Sequence, residues 1–348
     1  MPRPDRRAWT RRSALLGRCV ALGSGLALGV AGTAAAHGPV PPVPPDPANL
    51  LFGWTIEPVV LLGLVVGVVV WIRFVRQVDR AHPGNPVPRR RTACFLTALA
   101  VLAFALMSGI DTYDTTLFSV HMVQHILITL VAAPLIALSA PITLLLRVAT
   151  PNTRRRVILP ILHSRALRAI TFPVVAWVLF AGTMWWAHFS ALFDAALENP
   201  AIHDLEHALF LVTALLFWWP AVGADPSPWR MSHPVRAMYV FLQMPQNTFL
   251  AVTILNSSVV LYAHYATLTR SWGPTALADQ QTAGGLMWIG GDILFLSAMA
   301  AIVAGWMSYE KRQEAVVDRR LDAERAAIRV REAQLAERLA AEREARPS

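Results

Sequence analysis

Apolar residues along this chain are gathered into long blocks, separated by short polar stretches. The blocks lie near residues 53–72, 93–110, 117–138, 170–189, 202–221, 237–261 and 284–307. Each approaches or exceeds the roughly 20 helical residues needed to cross a hydrocarbon layer. The pattern predicts an all-α, polytopic membrane helix bundle of about seven spans, occupying residues 53–307.

The segments outside the bundle carry different patterns. In residues 1–36, five arginines (Arg3, Arg6, Arg7, Arg11 and Arg12) precede an apolar run and the small residues Ala34, Ala35 and Ala36. That is the layout of an export signal with a cleavage site. Residues 37–52 are rich in proline and read as an exported linker in extended conformation. Residues 308–348 mix both charge signs, and Val317, Leu321, Ile328, Leu335 and Leu339 recur at spacings of four and seven. This predicts a solvated cytoplasmic helix with a weak coiled-coil stripe. The stretch 139–169 mixes leucine with arginine, as a helix lying on the inner membrane face would.

Composition agrees with this reading. Of 348 residues 55% are hydrophobic and only 15% are charged, where soluble domains carry about 25% charged residues. The net charge is +9, and Lys311 is the only lysine. Arginines crowd the loops 73–92, 139–169 and 222–236, whereas residues 111–116 and 190–201 hold acids and no cation, and 262–283 holds only Arg270. By the positive-inside rule the first set is cytoplasmic and the second exported. The charge therefore encodes topology and gives no nucleic-acid surface. Trp218 and Trp219 then fall at one membrane edge and Trp185 and Trp186 near the other, as interfacial aromatics. The two cysteines, Cys19 and Cys94, form no C-x-x-C, so zinc ribbons and redox dithiols find no support.

Candidate chemistry rests on histidine. One span opens with His121-Met122-Val123-Gln124-His125 and another with His203-Asp204-Leu205-Glu206-His207. H-x-x-x-H puts each pair on one helix face, one turn apart. Both pairs fall at the same depth, near the outer membrane face, so four imidazoles converge if the two helices are neighbours. Polar groups in lipid are costly and mark function. Neutral imidazole suits copper and zinc, and thioether from Met122, Met107, Met184 or Met287 would favour Cu(I). The predicted metal ligands are His121, His125, His203, His207 and Met122, supported by Gln124, Glu206 and Asp292. No catalytic residue is assigned. A single haem between the two pairs is a rival ligand, and H-x-x-E-H at 203–207 also matches an inverted zinc-protease motif. His188 and His264 are expected at helix ends in the interface. Pro245 should kink the polar span that holds Gln243, Gln246 and Asn247.

Three blocks carry a family resemblance. His121-Met122-Val123-Gln124-His125 with Ala133-Pro134-Leu135 is the first, and Glu206-His207 leading to Phe217-Trp218-Trp219-Pro220 is the second. The third runs Asp279-Gln280-Gln281-Thr282-Ala283-Gly284-Gly285-Leu286-Met287-Trp288. Together they resemble the cytochrome c oxidase assembly factor family, CtaG type. The resemblance implies a seven-span protein of the bacterial cell membrane that serves a cytochrome c oxidase subunit, with copper as its metal. Against this stands an enzyme of another class, a seven-span hydrolase using zinc, a bound water and Asp292 or Glu206 as base.

Overall fold

The computed structural model describes residues 40–344. The signal-like segment 1–36, with Cys19, lies outside the described residues. All regular structure among the described residues is helical. Among the described residues, five helical stretches are long and apolar enough to cross a membrane: Pro58–Ala81, Arg89–Tyr113, Phe118–Val148, Pro200–Val222 and Ala276–Arg338. A bent pair, Pro173–His188 and Leu192–Glu198, turns through 68° and would make a sixth crossing.

We label the main helices α1 (Pro58–Ala81), α2 (Arg89–Met107), α3 (Phe118–Ile126), α4 (Pro173–His188), α5 (Leu192–Glu198), α6 (Pro200–Val222), α7 (His233–Phe241), α8 (Gln243–Leu255), α9 (Ala276–Gly285) and α10 (Gly291–Glu344). The block expected as one span at 237–261 is divided between α7 and α8, with Leu242 between them. Pro245 has no N–H to bond the carbonyl of Phe241, so the helix breaks where that bond is missing. The stretch 139–169 is likewise a series of short helices rather than one. Ala140 there has a left-handed backbone (φ 57°). The following Pro141 disfavours right-handed helix at that position. Asp225, from a distant loop, then accepts from the N–H groups of Ile142 (3.0 Å) and Thr143 (2.6 Å) and starts the helix Pro141–Val148.

Two π-helical segments interrupt the helices around the site: Leu127–Ala132 follows α3, and Leu286–Gly290 joins α9 to α10. A π turn displaces backbone carbonyls from their usual donors, and lipid supplies no replacement. Trp218 Nε1 supplies one, donating to the Thr129 carbonyl at 2.9 Å, and Asn247 Nδ2 donates to the Met287 carbonyl at 3.0 Å beside the Gly291 N–H. Trp218 is thus buried in the core and is not the interfacial aromatic expected of it. Close packing completes this region: a Cβ on Gly284 would come within 2.8 Å of the Leu255 backbone. Small residues that let helix backbones approach are the usual means of packing in lipid, where apolar burial alone gives little drive.

The loops gather at two ends. At one, Arg147 donates to the Asn85 carbonyl, and Trp229 Nε1 donates to the Arg168 carbonyl at 2.8 Å. Arg236 also closes the last turn of α6, bonding the carbonyls of Met231 and Val222. At the other end, His264 meets the Thr115 carbonyl, Tyr265 donates to the Asp114 carbonyl, and Trp272 donates to the Pro41 carbonyl. The arginine-rich loops therefore share one end and the acidic loops share the other, as the alternation of charge predicts. The described part of the linker is docked: Tyr113 donates to the Val43 carbonyl, and Pro47–Phe52 is a short helix. From Gly291 the last helix runs unbroken to Glu344, with Val317, Leu321, Ile328 and Leu335 exposed. The side chain of Leu339 lies outside the described residues.

Candidate metal centre

Helices α3 and α6 lie side by side and bring the two histidine pairs together. Ring centroids are 4.3 Å apart between His121 and His125 and 4.2 Å between His203 and His207. Across the helices they are 5.5 Å apart for His121 and His203 and 5.6 Å for His125 and His207. The four rings thus form a closed quadrilateral, and all are buried. Helical spacing explains the set: 121 and 125, and 203, 206 and 207, each share one face. Leu205, on the opposite face of α6, is exposed.

The polar partners differ from ring to ring. His121 and His125 place their Nε2 atoms 2.6 Å apart, and neither Nδ1 has a hydrogen-bond partner. His207 Nε2 lies 3.0 Å from Gln124 Oε1. Gln124 in turn donates to the Ala105 carbonyl at 3.0 Å and faces Asp111 at 3.4 Å. Gln124 therefore links the His207 ring to the backbone of α2. His203 Nε2 lies 3.7 Å from a carboxylate oxygen of Asp114.

Glu206 comes closer to the rings than a supporting role requires. One donor atom from each of His121, His125 and Glu206 lies within 4.8 Å of the others, and the same holds for Asp114, His121 and His203. Both oxygens of Glu206, and both of Asp114, are buried without a hydrogen bond. In the sequence Asp114 is only one of the acids of the 111–116 loop, because its approach to His203 depends on the turn between α2 and α3.

Other expected residues have neighbours of their own. Met122 belongs to the apolar cluster that also contains Phe118, Met184, Phe210 and Met287. Asp292 accepts from Thr248 at 3.0 Å. Since the Nδ1 atoms of His121 and His125 are unpartnered, Asp292 orients neither ring. His188, expected in the interface, is buried. Its Nδ1 meets the Met184 carbonyl at 2.7 Å, its Nε2 is unpartnered, and its ring packs on Phe193 and Phe210. The bend between α4 and α5 folds Phe193 back over it, and no spacing in the sequence announces that bend.

Aromatic rings seal the cluster. Phe193 stands 5.0 Å from His121 and Phe210 stands 4.4 Å from His125, with Phe118, Tyr262 and Tyr265 packed behind Phe193. Asp279 on α9 accepts from the Phe118 N–H at 2.7 Å and the Ser119 hydroxyl at 2.5 Å. It caps the N-terminus of the helix that carries His121 and His125. The adjacent Gln280 accepts from the Leu261 N–H at 2.7 Å and donates to the Val259 carbonyl at 3.1 Å, pinning the loop after α8.

Comparison with known proteins points one way. The family model described as cytochrome c oxidase caa3 assembly factor (Caa3_CtaG) matches residues 69–309. Uncharacterized proteins of Mycobacterium bovis and Mycobacterium tuberculosis are each 31% identical over 291 residues, which is 81% of this chain and 44% of the relative. One of Mycobacterium leprae is 28% identical over 290 residues, 81% of this chain and 43% of its own length. The chain thus spans less than half the length of these relatives. No solved structure matches. A hydrolase finds no support in these matches.

Proposed function

We propose, from the premise that the chain belongs to the cytochrome c oxidase caa3 assembly factor family, that it is a non-enzymatic factor that carries copper to an oxidase subunit. His121, His125, His203 and His207 hold the ion as cargo, and Gln124 orients His207. The observation that carries this reading is the closed quadrilateral of four buried imidazoles on two adjacent helices. Histidine binds copper firmly enough to hold it and, unlike a thiolate cage, leaves it exchangeable. Zinc is the competing ion, and metal content after purification decides between them.

In this reading the chain crosses a bacterial cell membrane seven times, with α7 and α8 as one broken crossing and the bent α4–α5 pair as another. The arginine end and the C-terminal helix face the cytoplasm, and the histidine end faces outward. A reporter fused within 190–201 should therefore read as exported; a cytoplasmic signal there overturns the sidedness.

The test of function is to replace all four histidines by alanine in the producing cell and assay the oxidase. Copper-deficient oxidase, partly rescued by added copper, is the expected result. Normal oxidase beside a folded quadruple variant eliminates the copper-transfer reading.

A further inference from the structure

The two carboxylates beside the histidines are the least expected feature of the site. Asp114 is 0% exposed and Glu206 is 1% exposed, and none of their four oxygens has a hydrogen bond. A buried acid is normally hydrogen-bonded, paired or coordinated to a metal. Asp114 faces the His203 ring at 3.7 Å, and Glu206 has no hydrogen bond of its own.

Each carboxylate completes a separate triangle of donors. Asp114 joins His121 and His203, and Glu206 joins His125 and, again, His121. The two triangles have the same composition, two imidazoles and one carboxylate, and they share His121. Positions 121 and 125 are one helical turn apart, so the triangles follow one another along α3. The first begins at the turn that holds Asp114, and the second lies one turn further into the bundle.

We propose that the site is a pair of overlapping stations for one divalent transition-metal ion, with Asp114 and Glu206 as ligands and His121 common to both. The inference rests on the metal-carrying part of the proposed function and adds its ligand set, ion class and path. An ion held by His121 moves by exchanging Asp114 and His203 for His125 and Glu206. Because donor types and ligand charge are equal in the two stations, neither is strongly favoured. That suits a cargo ion that must leave again. One anionic oxygen per station offsets part of the charge of a divalent ion in an apolar interior, which imidazoles alone cannot do. Nitrogen and carboxylate donors together suit Cu(II) or Zn(II) better than Cu(I), which selects thiolate and thioether. No redox step is involved; ligands exchange and the ion keeps its charge.

The experiment titrates the full chain, purified metal-free in detergent, with Cu(II) and records its electron paramagnetic resonance spectrum at one equivalent. The wild type should give two overlapping copper signals with nitrogen couplings. D114N should leave one signal and E206Q the other, and H121A should remove both. H203A should reproduce the D114N spectrum and H125A the E206Q spectrum. Each station is thus read by two independent variants, so a poorly folded one does not decide the result. Copper bound with a spectrum unchanged in both D114N and E206Q overturns the two stations and leaves the histidine site standing. A wild type that binds Cu(I) but no Cu(II) overturns the two stations alone, and one that binds neither overturns the proposed function as well.

Discussion

The Nε2 atoms of His121 and His125 lie 2.6 Å apart within one helix face, and the Nδ1 atom of each ring is buried without a partner. One ring must donate to the other, which satisfies a single N–H and leaves the remaining nitrogens idle. A metal bound at about 2.0 Å to each Nε2 needs them roughly 3.3 Å apart at tetrahedral angles. A small rotation of either ring supplies that difference. Under the proposed function an ion would join the two nitrogens that a single hydrogen bond leaves incompletely satisfied.

If the two pairs serve one site through His121, His121→Ala should weaken copper binding by more than the ~10–100-fold that loss of an orienting partner costs, whereas His203→Ala, which leaves the group of His121, His125 and Glu206 whole, should cost far less. The double variant should lose less than the sum, because a shared site is lost once. Metal per folded protein is the quantity to measure. Stepwise loss of stoichiometry, with additive effects, would point to separate sites.

Gln124 links His207 to the backbone of α2. Gln124→Leu should keep the fold while weakening copper binding by ~10–100-fold. Isothermal titration of the detergent-solubilised protein checks this, and an unchanged affinity would show that His207 is held by other contacts.

Asp279 acts on the same helix from its other end. Asp279→Ala removes the cap on the Phe118 N–H and should cost ~1–2 kcal/mol. Thermal unfolding in detergent should shift downward, while copper per folded molecule stays constant. Loss of copper from fully folded protein would instead make Asp279 part of the site.

Trp218 illustrates how the π segment after α3 is sustained. Trp218→Phe keeps the ring but leaves the Thr129 carbonyl without its outside donor. An unsatisfied buried acceptor costs ~1–3 kcal/mol. The midpoint of thermal unfolding should fall accordingly; a wild-type midpoint would mean that the π turn needs no such support.

Side chains 307–338 of the last helix are exposed. Deleting residues 315–348 should leave membrane insertion and copper binding unchanged, because the deleted segment lies past the arginine end, far from the histidines. Loss of metal from the truncated chain, measured after purification, would reject this placement of the site.

The sequence by itself determined the helical class, the division of loops between two ends and the pairing of histidines on helix faces. Each follows from local rules: block length against bilayer thickness, arginine asymmetry, and the 3.6-residue helical period. Only the tertiary structure decided what surrounds the histidines. Asp114 reaches His203 through the turn before α3, and His188 is buried because α5 folds back after α4. Glu206 lies close to the His121 and His125 ring nitrogens, whereas Asp292 pairs with Thr248, although both stood as supporting polar residues. Helical periodicity fixes direction around one axis only. Which neighbour lies across that face depends on breaks, bends and π turns, and those are set by contacts between residues distant in the chain.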